Sequence, residues 1–274
     1  MSEAEGLKSS GGGWGSLARV RELKAKLKRG EAALGAWLSL TDPCAAELLA
    51  RTGFDFLLID TEHGAWDLVT LQTTLMGFNG TDTVPIVRVP WNDHVRIKQA
   101  LDMGVEGIMA PMVRDVAECR ALVRACRYPP DGGRGFGPRR ASNYYRDIED
   151  YVAIANQAIF VMPQIEDIAT LDNLDEFLAV PGIDAVAIGP NDLSGTTGLF
   201  RQHKHPTNKG AVDRIIARAA AAGLPVCLGV NSKPAEQKEL IARGVRILLA
   251  TSDMELLAGG ARHVLEANRA AIDA

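Results

Sequence analysis

Short apolar runs alternate with amphipathic segments along most of the chain. The runs occupy residues 34–40, 54–59, 85–89, 107–110, 158–165, 185–188, 224–228 and 245–249. Between them, apolar positions recur at the three- and four-residue spacing of helices, as at Val212, Ile215, Ile216 and Ala219. A strand followed by a helix, repeated along one chain, is typical of a parallel α/β sheet.

The predicted helices carry their own start and stop signals. Asp42 before Pro43, and Asp115 three residues before Glu118, match helix N-terminal caps. Glycines stand where a left-handed residue would end a helix, at Gly53, Gly104, Gly223 and Gly244. A doubly wound open sheet also alternates strands and helices, but no Gly-rich dinucleotide motif follows the first run. Eight units of similar length therefore predict an α/β fold of the closed (β/α)8 TIM barrel type.

Two segments fall outside this repeat. Residues 1–15 are rich in Gly and Ser and predict a disordered, flexible tail, which leaves residues 16–274 as a single barrel domain. Residues 128–145 are rich in Gly and Pro and predict a long ordered loop or a lid. Its Arg134, Arg139 and Arg140 either bind a distal carboxylate of a substrate or are solvated loop charges.

Composition narrows the class of partner. The 274 residues contain 30 Lys and Arg against 34 Asp and Glu, a net charge of −4, so nothing indicates binding to nucleic acid or anionic lipid. No apolar run approaches the roughly 20 residues needed to cross a membrane. The four cysteines lack paired zinc-ligand spacing and no secretory signal precedes them, which predicts reduced thiols in a cytoplasmic protein. A small molecule is the expected partner.

Polar side chains follow four of the apolar runs. Asp60 and His63 follow the second run, Arg88 lies in the third, and Glu166 and Asp192 follow the fifth and sixth. The carboxyl ends of barrel strands surround the active site, so we expect these side chains on one rim. Arg88 is either a structural ion-pair partner or a group that neutralises a developing enolate oxygen and contributes little to the barrel. No lysine lies within a predicted strand, which argues against a Schiff-base aldolase.

The acidic residues and the histidine also have structural interpretations. A carboxylate after a strand often caps the next helix, whereas Glu166 and Asp192 together suit Mg²⁺ or Mn²⁺, which prefer hard oxygen ligands. His63 is either a satisfied structural histidine or a proton-transfer group whose tautomer Asp60 and Asp102 fix. The residues alone leave these alternatives open.

Five strings resemble those of a known family. They are LIDTEH at 58–63, VRVP at 87–90, GIMAP at 107–111, PQIE at 163–166 and IGPNDLS at 188–194. Their order and spacing resemble the HpcH/HpaI aldolase family over about residues 35–268. The resemblance implies a barrel of the phosphoenolpyruvate/pyruvate type and the activity of a metal-dependent class II pyruvate aldolase. The family also includes macrophomate synthase, in which the same site decarboxylates oxaloacetate.

The resemblance assigns roles to individual residues. It implies a metal site at Glu166 and Asp192. It implies contacts to the keto acid from Arg88, Gln164, Pro190 and Asn191. It implies a catalytic proton-transfer dyad of His63 and Asp102, with Asp60 close by. The divalent metal, Mg²⁺ first with Mn²⁺ or Co²⁺ as alternatives, would chelate the keto acid while Arg88 shares the charge of its enolate.

The expected reaction is therefore the cleavage of a 2-keto-4-hydroxy acid into pyruvate and an aldehyde, or the reverse reaction that forms the acid. Oxaloacetate decarboxylation in the manner of macrophomate synthase is the runner-up, and a metabolite-binding barrel without turnover is the non-enzymatic alternative. The resemblance also implies a homo-oligomer, a hexamer, with helices packed over residues 254–271. Asn191 and the Gly-rich and Arg-rich residues 132–140 depart from the family pattern, which leaves the second substrate undefined.

Overall fold

Eight parallel strands close into a barrel in which each strand pairs with its neighbours in chain order and the last pairs with the first. The computed structural model describes residues 17–229 and 233–272, so the predicted tail at 1–15 lies outside the described residues. The strands are β1 (Ala33–Leu38), β2 (Phe56–Asp60), β3 (Val84–Arg88), β4 (Gly107–Ala110), β5 (Phe160–Ile165), β6 (Val186–Ile188), β7 (Val226–Leu228) and β8 (Val245–Ser252). The prediction of a (β/α)8 barrel is confirmed.

Of the described helices, one precedes the first strand, one follows the last strand, and the others lie in the connections between strands. They are α1 (Ala18–Lys28), α2 (Pro43–Ala50), α3 (Leu68–Met76), α4 (His94–Asp102), α5 (Val116–Cys126), α6 (Ile148–Ala158), α7 (Leu174–Leu178), α8 (Pro190–Thr196), α9 (Pro206–Ala221), α10 (Pro234–Ala242) and α11 (Asp253–Ile272). Within the described ranges, no helix is long and apolar enough to cross a membrane.

The sequence signals at the helix ends are confirmed. Asp42 accepts hydrogen bonds from the backbone N–H groups of Cys44 and Ala45, and Asp115 accepts one from Glu118. The four predicted terminal glycines all have positive φ, at Gly53, Gly104, Gly223 and Gly244. Each of these turns determines where the following strand begins. It therefore also determines which residues lie at the carboxyl end of that strand.

The core surrounds the strands on both faces. Every residue of β2, β3, β4, β5 and β6 is buried. Strands that are covered on both sides read as continuous apolar runs, because neither face meets water. A charged residue at the end of such a strand, such as Asp60 or Arg88, is held in place by the packed strand behind it.

Residues 128–145 lie at the amino-terminal end of the barrel, opposite the predicted rim. The guanidinium of Arg140 donates to the backbone oxygens of Met103 and Leu75, at the ends of helices that run back from the rim. Arg134 donates to the hydroxyl of Tyr151 at 3.0 Å. The segment is ordered as predicted, but within one chain it is not a lid over the rim. Arg134 and Arg140 are buried, so both predicted alternatives, solvated loop charges and ligands of a substrate at the rim of the same chain, are wrong for these two residues.

Candidate active site

The ends of β2 and β3 bring Asp60 and Arg88 together. The two residues are register partners on adjacent strands. The carboxylate of Asp60 accepts hydrogen bonds from Nε of Arg88 at 2.9 Å and from Nη2 at 2.7 Å. The backbone N–H and hydroxyl of Thr61 both donate to the backbone oxygen of Arg88, at 3.0 and 2.7 Å. The end of strand β3 is therefore tied to the turn that follows β2.

The guanidinium of Arg88 is enclosed on further sides. Its carbon lies 4.4 Å from the ring centroid of Trp37, and its Nε lies 3.2 Å from the carboxylate of Glu62. The side chain is only 9% exposed. The hydrogen bonds to Asp60 use the Nε and Nη2 edge of the guanidinium. Nη1 donates to no acceptor among the described residues, so it can donate to a bound oxygen.

Glu166 lies at the end of β5 in a narrow backbone cradle. Its Oε2 accepts a hydrogen bond from the backbone N–H of Met112 at 2.9 Å, and Met112 has a φ of +51°. A Cβ at Gly189 would lie 2.1 Å from Oε1 of Glu166, so no larger residue fits there without displacement. Burial raises the pKa of Glu166 to about 7. The hydrogen bond from Met112 opposes that rise, and the negative charges of Glu62 and Asp192 add to it.

Glu62 belongs to the same site, although it was not among the predicted site residues. Burial raises its pKa, while the charges of Arg88 and His63 oppose that rise. Its Oε2 lies 3.7 Å from Nε2 of His63, and among the described residues this oxygen has no hydrogen-bond donor. The signal in the sequence was its position between Asp60 and His63, directly after a buried strand.

His63 is an exposed residue at the rim. Its side chain is 65% exposed, and its backbone N–H donates to Asp60 at 3.3 Å. The prediction that Asp60 lies beside His63 is thus confirmed at the backbone, whereas the nearest acidic side chain to the imidazole is that of Glu62.

The predicted dyad of His63 and Asp102 does not form within one chain. Asp102 is the last residue of α4, two residues before the turn at Gly104 that leads back into β4, so it lies at the amino-terminal end of the barrel. There its carboxylate accepts a hydrogen bond from the fully buried Arg134 at 2.8 Å. Helices of a (β/α)8 barrel run opposite to the strands, so a helix end and a strand end lie at opposite poles.

The remaining predicted site residues also lie at the rim. Gln164 is 5% exposed, and among the described residues its Oε1 is buried without a hydrogen-bond partner. Pro190 is the first residue of α8, and the exposed Asn191 and Asp192 follow in its first turn. The contacts of Gln164, Pro190 and Asn191 with a keto acid stay predictions.

The donor set fits a small divalent cation. Three carboxylates meet at this rim: the charge of Asp192 raises the pKa of both Glu62 and Glu166, and the charge of Glu62 raises the pKa of Glu166. Over residues 17–229 and 233–272 there is no cluster of three His, Cys, Asp or Glu with metal-binding geometry. A site with two protein carboxylates leaves positions for water and substrate oxygens, as Mg²⁺ sites commonly do. Glu166 and Asp192 are the residues that would hold such an ion.

Comparisons with known proteins show the family of the chain. Residues 33–259 match the model of the HpcH/HpaI aldolase/citrate lyase family. The chain is 42% identical over 241 residues to 4-hydroxy-2-oxo-heptane-1,7-dioate aldolase of Salmonella typhimurium, covering 87% of this chain and 90% of that one.

Two solved structures share the fold over nearly the whole chain. An HpcH/HpaI aldolase/citrate lyase family protein from Burkholderia cenocepacia is 31% identical with a TM-score of 0.85, covering 90% of this chain and 99% of that one. Macrophomate synthase is 27% identical with a TM-score of 0.82, covering 94% and 90%. The chain belongs to the HpcH/HpaI aldolase/citrate lyase family.

Proposed function

We propose that this protein is a metal-dependent aldolase that splits a 2-keto-4-hydroxy acid into pyruvate and an aldehyde, and that also catalyses the reverse addition. The observation that carries the proposal is the buried, clamped guanidinium of Arg88 on the same rim as Glu166 and Asp192. The 42% identity to the Salmonella heptane-dioate aldolase supports the reaction class.

The proposed cofactor is Mg²⁺, with Mn²⁺ and Co²⁺ as alternatives, held by Glu166 and Asp192. When bound, the ion would supply a Lewis acid for the oxygens of the keto acid. The raised pKa of Glu166 supports this placement. Burial is its main cause and the charges of Glu62 and Asp192 add to it, and a cation bound at the carboxylate would offset both effects.

The roles of the side chains follow from their positions. Cleavage needs a base to remove the proton of the 4-hydroxyl group, and we assign this to the exposed His63 at the rim. The C3–C4 bond then breaks, the aldehyde leaves, and the electron pair forms the enolate of pyruvate. The free Nη1 edge of Arg88 donates hydrogen bonds to the oxygen that carries this charge. Protonation of the enolate at C3 completes the release of pyruvate.

Oxaloacetate decarboxylation is the second candidate, because macrophomate synthase shares the fold at 27% identity. That reaction also forms the enolate of pyruvate, but it requires no base at a hydroxyl group. A metabolite-binding barrel without turnover fits less well. Oε1 of Gln164 is buried and has no hydrogen-bond partner among the described residues, which destabilises the fold unless a ligand uses this oxygen.

The decisive assay measures pyruvate release from a panel of 4-hydroxy-2-keto acids and from oxaloacetate, before and after removal of divalent metal by a chelator. We expect release from at least one hydroxy-keto acid, lost on chelation and restored by Mg²⁺. Full turnover after exhaustive chelation would show the metal role to be wrong. Release from oxaloacetate alone would favour the decarboxylase.

We further propose that the protein is a cytoplasmic homo-oligomer, a hexamer as the family resemblance implies. Helix α11 supports this, because it exposes a series of large apolar side chains: Met254, Leu256, Leu257, Val264, Leu265 and Ile272. Exposed apolar side chains in such number commonly mark a protein interface.

Assembly of several chains would also allow the predicted dyad of His63 and Asp102 to form. Because His63 and Asp102 lie at opposite ends of one barrel, the pair implied by the resemblance requires two copies of the chain. We expect a mixture of His63→Ala and Asp102→Asn chains, refolded together, to regain activity in roughly a quarter of its sites by random mixing. No recovery in mixed oligomers of confirmed composition would exclude the shared dyad.

A further inference from the structure

The stacking of Arg88 on Trp37 is a contact that the roles assigned above do not use. Trp37 lies near the end of β1, and its ring centroid is 4.4 Å from the guanidinium carbon. Asp60 fixes one edge of the guanidinium in its plane. The guanidinium carbon lies over the indole ring of Trp37, so Asp60 and Trp37 restrict the movement of the guanidinium from two directions.

The indole N–H of Trp37 takes no part in this arrangement. It is buried and has no hydrogen-bond partner among the described residues. A buried donor without an acceptor disfavours the folded state, so the N–H group of Trp37 does not account for an indole at this position. The contact with Arg88 is made by the face of the ring. Among aromatic side chains, indole binds cations most strongly through its face.

We propose that Trp37 is a positioning residue that holds the plane of Arg88 so that its Nη1 edge points to the reacting oxygen. The proposal rests on the proposed function, because that oxygen is the one that becomes negative in the enolate. A guanidinium free to tilt would still bind the ground-state keto acid, but it would lose the alignment that the developing charge requires.

The test compares replacements that keep or remove the aromatic face. In Trp37→Met, which fills the space with a flexible apolar chain, we expect kcat to fall about 10- to 30-fold with little change in KM, since a desolvated cation–π contact has that magnitude. In Trp37→Phe, which restores a face without the N–H, we expect most of kcat to return. A loss in Trp37→Phe as large as in Trp37→Met would overturn the proposal, because it would make the N–H the functional group.

A double variant separates positioning from general damage to the barrel. In an Arg88→Lys background, which has no planar group to align, Trp37→Met should cause little further loss. Additive losses would overturn the proposal. The matched control is Trp91→Leu, because Trp91 stacks on Arg114 at 5.8 Å and is half exposed; it should leave kcat unchanged.

Chemical modification gives a readout that does not depend on turnover. Phenylglyoxal should modify Arg88 several-fold faster in Trp37→Met than in the wild-type protein or in Trp37→Phe, with Arg114 as the internal reference. An unchanged rate at Arg88 would overturn the proposal. If the wild-type protein releases no pyruvate from any keto acid, the proposed function fails, while these rates still decide the role of Trp37.

Discussion

Arg88 and Asp60 form a two-pronged ion pair between register partners of adjacent strands, with contacts of 2.9 and 2.7 Å. Both side chains are more than nine-tenths buried. This pair belongs to the barrel as well as to the site, so the expectation that Arg88 contributes little to the barrel does not fit its burial. Removing one member of a buried pair leaves a charge without its partner.

Replacing Arg88 should therefore affect stability and turnover to different degrees. Arg88→Lys keeps the charge but loses the fork, so we expect kcat to fall by about 10²-fold or more with a small loss of stability. Arg88→Ala should in addition lower the free energy of unfolding by about 3 kcal/mol. Urea unfolding and steady-state kinetics of both variants check this. Near-normal kcat in Arg88→Lys would place Arg88 among purely structural ion pairs.

The raised pKa of Glu166 predicts how the metal-free protein responds to pH. A carboxyl group with a raised folded-state pKa binds its proton more tightly in the folded than in the unfolded chain. Its contribution to stability is thus present below pH 4.5 and is lost as the pH rises to about 7. Without metal, we expect the melting temperature to fall over that range. The comparison is with Glu166→Gln, which should lack this part of the fall.

Metal should reverse that trend in the wild-type protein. A divalent cation binds the ionised carboxylate, so the stabilisation that it gives should grow as the pH rises towards 7. Glu166→Gln should show little stabilisation by Mg²⁺ at any pH. If Mg²⁺ stabilised Glu166→Gln as strongly as the wild-type protein, the ion would have to bind elsewhere.

Gly189 is predicted to be necessary for the position of the Glu166 carboxylate. The added methyl group of Gly189→Ala would overlap Oε1 of Glu166, so the carboxylate must move. We expect metal affinity to fall about 10- to 100-fold, the range seen when groups that orient a ligand are changed. Calorimetric titration measures it. Gly195→Ala is the control, because its methyl group meets Phe200 only at an ordinary 3.5 Å.

His63 should separate the two candidate reactions. His63→Ala should lower the rate of aldol cleavage by about 10²- to 10⁴-fold, because a positioned general base accelerates a reaction by that factor. Any oxaloacetate decarboxylation should largely persist, since no hydroxyl proton has to leave. His203→Ala, in an exposed loop, serves as the control. Equal loss of both activities with unchanged metal affinity would mean that His63 positions the keto acid that the reactions share.

The barrel and most of the rim could be predicted from the amino-acid sequence alone. Apolar runs and helix caps follow local rules of burial and hydrogen bonding, so their spacing was enough to predict the alternation of strands and helices. Asp60, Arg88 and Glu166 were found for the same reason, because residues at the ends of buried parallel strands must share one end of the barrel.

Which side chains contact one another could be seen only in the folded barrel. The stacking of Trp37 on Arg88 depends on where two strands two places apart in the barrel bring their ends, which no local pattern encodes. The same holds for Glu62, whose raised pKa arises from burial among groups contributed by several loops. Asp102 lies with Arg134 and away from His63 because helices run against strands. The spacing of apolar residues along the sequence predicts whether a residue is buried. The closure of the barrel determines which residues surround it.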